Sequence, residues 1–125
     1  MRALTNAASV VASDASNADR TNSAAAHVNL GTAKLARQRW SEAIKHFETA
    51  MRLQPASAIL HAQLAVALVN NDQLEAAVPH FEAALRLSPS AETHDNFAQV
   101  LNALGRRREA FEHFEEAARL RREKP

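Results

Sequence analysis

One stretch, SEAIKHFETAMRLQP from Ser41 to Pro55, returns twice in this chain with its key residues in register. Ala43, Phe47, Ala50, Leu53 and Pro55 recur as Ala77, Phe81, Ala84, Leu87 and Pro89, and a third copy carries Ala110, Phe114, Ala117 and Leu120. The offset is 34 residues and then 33, and self-similarity at such a period marks a solenoid of stacked supersecondary units. Within each copy an alanine, a phenylalanine four residues on and an alanine three beyond it share one face of a helix. A face that reads small, large, small accepts a neighbouring helix at close range. Three units are about the fewest whose stacking buries a continuous core.

The rest of the chain fits helices and little else. With 46% hydrophobic residues, two glycines and no tyrosine, the composition points to packed helices, and strand patterns are missing. The absence of cysteine excludes a disulfide framework, a thiolate metal site and a thiol nucleophile. A formal net charge of +1 does not favour nucleic acid as a partner. Charge is nevertheless uneven, at +3 over Ala24 to Ser57, −2 over Ala58 to Ser90 and 0 over Ala91 to Pro125. Arg106 to Arg108 and the basic end from Arg119 to Lys124 could meet phosphate, but a solvated turn and helix end account for them more simply. No stretch approaches the roughly 18 apolar residues of a membrane span.

The sequence divides into a low-complexity, mostly disordered N-terminal segment, 1–23, and three repeats, 24–57, 58–90 and 91–125. The first segment lacks the apolar run of a secretory signal, which leans toward the cytoplasm without fixing a compartment. Ser23, Ser57 and Ser90 each precede a helical pattern and are expected to cap a first helix. A second helix begins at Ser41 in the first repeat; Asp72 and Glu75 are expected to form a capping box for its counterpart in the second. Gly105 supplies a left-handed turn in the third, and Pro79 should bend the helix that contains it slightly. Each repeat is thus a helical hairpin.

On these residues the chain resembles the tetratricopeptide repeat family. The family pattern is met by Leu30, Gly31, Ala43, Phe47, Ala50 and Pro55, by Leu64, Ala65, Ala77, Phe81, Ala84 and Pro89, and by Phe97, Ala98, Ala110, Phe114 and Ala117. The resemblance covers about Ala24 to Arg122 and implies an all-α, right-handed superhelix of six helices, as a fragment of a larger bacterial-type repeat protein. Three departures stand out. His27, His61 and His94 replace an aromatic residue, Lys34 stands where an apolar one is usual, and Arg122 holds the last proline position.

No catalytic constellation, cofactor loop or metal motif is visible, so catalytic, cofactor and metal residues are expected to be none and the domain no enzyme. The six histidines fall into two ladders, His27, His61 and His94, and His46, His80 and His113. Equivalent residues on packed helices lie about 8–10 Å apart, too far for one ladder to converge on an ion, so packing and surface roles are expected, with sensitivity to mild acid. What the resemblance implies for function is a concave groove lined by the first helices. Its residues here are Val28, Thr32, Leu35, Ile59, Ala62, Val66, Val69, Asn70, Glu92, Asp95, Gln99 and Asn102, an apolar strip with an acidic, amide-rich end. The cations and amides with which some members clamp the acidic C-termini of chaperones are replaced by Val28, Thr32, Gln63, Glu92 and Asn96. The expected partner is therefore an amphipathic peptide or helix of another protein that carries a basic or amide group, not an acidic chaperone tail. Two alternatives stand beside this: the repeat segment of a larger enzyme such as a bacterial glycosyltransferase, and a homo-oligomerisation module pairing through Phe111, Phe114 and Leu120.

Overall fold

The computed structural model describes residues 22–123, all helix and connecting turn. Six helices follow one another: α1 (22–36), α2 (Trp40–Leu53), α3 (Ala58–Asn70), α4 (Leu74–Leu87), α5 (Ala91–Ala103) and α6 (Arg107–Glu123). They form three antiparallel hairpins, and successive hairpins join where α2 packs on α3 and α4 on α5, with α3 also touching α5. The result is a helical solenoid.

Small residues let the hairpins close. Ala43, Ala65, Ala77, Ala98, Ala110 and Ala117 are wholly buried, and Gly31 is so near Phe47 that a Cβ there would stand 2.8 Å from the ring. Between hairpins the large residues meet: Phe81 of one repeat and Phe97 of the next stack with ring centroids 5.3 Å apart. This forward contact explains both ends of the solenoid. Leu30, the counterpart of Phe97 in the first repeat, is 47% exposed, and Phe114, the counterpart of Phe81 in the last, is 36% exposed. Each lacks its partner among the described residues. Phe111 is exposed beside Phe114 and Leu120 is half-buried, so the face expected to pair with a second copy is partly open among the described residues.

The three turns share one cap. Gln38, Asp72 and Gly105, at the same place in each repeat, have φ of 61°, 64° and 81°. The following residue donates its N–H to a carbonyl five residues earlier, Arg39 to Lys34 at 2.9 Å, Gln73 to Leu68 at 2.8 Å and Arg106 to Leu101 at 2.8 Å, which is a Schellman closure. The expected capping box at Asp72 is therefore not formed. A residue in the left-handed region cannot hold the extended backbone of an N-cap; Gln73 takes that place and makes no side-chain cap bond. Ser57 and Ser90 do cap, accepting from the amides of Leu60 and Thr93, each at 3.2 Å. Ser23 does not, because α1 already includes residue 22. The rest of the expected N-terminal segment lies outside the described residues.

Gly105 isolates the backbone cost of this turn, since nothing lies within 4 Å of a Cβ built on it. Gly105→Ala is expected to lower the unfolding free energy by roughly 1–2 kcal/mol, the cost of a left-handed alanine. Urea denaturation reads it directly; an unchanged midpoint would mean that the turn relaxes at no cost.

Candidate functional site

The first helices α1, α3 and α5 present one side to two adjoining hollows. The larger, about 430 Å³, is walled by Leu35, Ile59, Ala62, Gln63 and Val66 and closed by Glu92 and Asn96. The second, about 370 Å³, is walled by Val66, Val69, Asn70, Asn96, Gln99 and Val100. Val66 and Asn96 belong to both, so the two hollows form a continuous trough across the second and third repeats. Of the residues expected in a groove, Leu35, Ile59, Ala62, Val66, Val69, Asn70, Glu92 and Gln99 come together here.

Four others do not line it. Val28 packs against the core beside the first hairpin, and the Thr32 hydroxyl donates to the Val28 carbonyl at 2.9 Å. Asn102 is exposed outside the trough. Asp95 accepts a charge-assisted bond from Arg121 at the end of α6, so the acidic character of the trough rests on Glu92. Gln63 and Asn96, which occupy the same offset of successive repeats, are wall residues that the groove pattern did not include. The Gln63 Oε1 atom is buried without a hydrogen-bond partner, an unsatisfied acceptor behind the trough wall.

Within the basic clusters Arg106, Arg119 and Arg121 are committed to carboxylate neighbours. Arg106 makes two bonds to Glu109, at 2.9 and 2.7 Å, and Arg119 bridges Glu116 and Glu123. Lys34, an apparent defect in the repeat pattern, lies 3.8 Å from Glu42 across its own hairpin. These pairs hold the Glu109 and Glu116 carboxyls below their ordinary range through the guanidinium bonds they accept.

The histidines behave in a way the ladders did not reveal. Each hairpin brings its two histidines together through their Nδ1 atoms, His27 with His46 at 3.1 Å, His61 with His80 at 3.1 Å and His94 with His113 at 2.8 Å. The constant separation of 19 residues was the signal in the sequence. Burial lowers the pKa of His80, His94 and His113, and the partner imidazole adds to the effect at His80 and His94. Among the described residues no three or more metal-ligating side chains converge, and no helix is long and apolar enough to cross a membrane.

Comparison with protein families matches a tetratricopeptide repeat model over residues 28–92 and a second over 90–124. No curated protein matches the sequence. Among solved structures, MamA MSR-1 is similar at 25% identity and a TM-score of 0.74, with 87% of this chain and 63% of that chain covered. MamA from Desulfovibrio magneticus RS-1 is 23% identical at a TM-score of 0.76, covering 79% of this chain and 56% of that one. The Arabidopsis OM64 TPR domain, 18% identical, has a TM-score of 0.79 with 84% and 88% covered, a likeness of fold alone. The chain thus spans less than two thirds of the MamA chains named here.

Proposed function

This chain belongs to the tetratricopeptide repeat family, a protein-interaction fold, and we propose that it binds an amphipathic peptide or helix of a partner protein in the trough between α3 and α5. The continuity of the two hollows through Val66 and Asn96 carries this reading. An apolar face of the ligand covers Leu35, Ile59, Ala62, Val66 and Val69, and burial of such surface supplies most of the affinity. A basic or amide group meets Glu92. An acidic C-terminus finds no cation on these walls and is repelled by Glu92. No chemistry is assigned to the domain.

The test is selection of binders from a random peptide library on the full chain, followed by affinity measurements at two salt concentrations. Val66→Asp is expected to weaken the selected peptides at least about tenfold, since it places a charge on the apolar wall of both hollows. Glu92→Lys should weaken them more at low salt than at high. Selection of acidic free C-termini, or indifference to both variants, would move the binding surface off this trough.

A further inference from the structure

We propose that His61 and His80 form a chelating site for a divalent transition ion that prefers imidazole, of the Zn²⁺, Ni²⁺ and Cu²⁺ group. Their Nδ1 atoms are 3.1 Å apart. An ion bound at about 2.0–2.1 Å to each of two nitrogens, at angles between octahedral and tetrahedral, needs them roughly 2.9–3.4 Å apart. The separation matches that bite; the rings, whose centroids are 5.3 Å apart, now point their Nδ1 atoms at each other and turn off the line between them to aim both lone pairs at one ion. The expectation of no metal considered each ladder along the solenoid axis; the site arises across the hairpin, where the ladders meet.

Three features favour this central pair. His61 Nε2 lies 3.2 Å from the Pro55 carbonyl, so it carries the proton, donates it there and leaves the Nδ1 lone pair free. That outer bond is the usual orienting contact of a metal-ligating histidine. His80 then donates Nδ1–H to His61 in the metal-free protein, and the ion takes the place of that single proton while His80 moves to its Nε2–H form. Beside His80 a hollow of about 370 Å³, walled by Glu48, Met51, Arg52, Pro55 and Leu64, has room for the waters that complete the coordination, and the Arg52 guanidinium donates to the Thr49 hydroxyl. Glu48, reaching from the preceding repeat, adds a negative field at His80. The His27 and His46 pair has no earlier repeat among the described residues to supply that carboxylate. The His94 and His113 nitrogens, 2.8 Å apart, are closer than that bite, although carboxylates including Glu82 of the preceding repeat surround them.

The experiment is calorimetric titration of Zn²⁺, and separately Ni²⁺, into the full 125-residue chain near pH 7.5, with circular dichroism to verify folding. Saturable binding is expected, with proton release that grows as pH falls. His61→Phe restores an aromatic residue of the kind the repeat pattern carries there and keeps the fold. That variant and His80→Phe should each remove one site, weakening it at least about tenfold, and Glu48→Gln should weaken it less. Mg²⁺, which demands oxygen ligands, should leave the melting temperature unchanged. Absence of saturable binding, binding equal in both histidine variants and the parent, or loss in one variant alone would each overturn the two-imidazole site.

Discussion

Phe81→Ala is expected to lower the unfolding free energy by roughly 3–5 kcal/mol, the cost of emptying a phenylalanine site that the surrounding helices cannot refill. The ring is 1% exposed, packs against the helix before it in its own hairpin and stacks on Phe97 of the next. Its loss therefore breaks a hairpin and a joint between repeats together. In a solenoid, stability is close to a sum of repeat terms and nearest-neighbour joints, so a central joint governs whether the domain unfolds as one unit. Phe114→Ala provides the control. It deletes the same side chain at the same repeat position, but from a site that is 36% exposed and has no following repeat among the described residues. A markedly smaller loss is expected. Equal losses in denaturant titrations would mean that the joints contribute little and the hairpins stand alone.

That contrast shows which parts of the fold were legible in the sequence. The small residues could be read because backbone approach tolerates nothing larger, and every alanine of the pattern is buried as its spacing implies. Exposure of Phe111 and Phe114 agrees with the pairing surface expected there, whereas that of Leu30 was not legible, since its residue type fits the repeat pattern and only the missing neighbour sets it apart. Asp72 was misread because a capping sequence overlaps a turn that takes its φ to 64°; the closure of the preceding helix outweighed the start of the next. In the trough, helical offset located the apolar wall but not Asp95, whose direction is decided by Arg121 from a helix 26 residues away in sequence. Charges on long side chains are settled by tertiary partners. The histidines illustrate the same limit from the other side: pairing across the hairpin depends on the register between antiparallel helices, and a search along the repeat axis passes over it.

The third histidine pair leads to a second large expected effect, measured with a chelator present. Stability should be intact above about pH 6.5 and fall as pH drops below it. His94 is 8% exposed, and burial lowers its pKa and that of His113 below the ordinary 6.5. The unfolded chain then binds protons that the folded one resists, so stability is lost from pH 6.5 down through the lowered folded values and changes no further beneath them. Around the pair, Glu82, Glu109, Glu112 and Glu116 favour charging His113, Asp95 and Glu116 favour charging His94, and Arg119 opposes it at His94. Glu109 and Glu116 remain ionised throughout that window because their own pKa values are lowered. Burial still prevails at both imidazoles, and charging both would set two cations and two N–H groups face to face across 2.8 Å. For a domain of this size each kcal/mol lost moves the melting midpoint by about 4–8 °C, so the decline is readable in thermal scans from pH 7.5 to 5. His94→Phe with His113→Phe should flatten it, since neither ring can then take a proton, while His94→Phe alone should flatten it in part. A double variant whose melting temperature falls with pH as steeply as the parent's would assign the acid sensitivity to groups outside this hairpin.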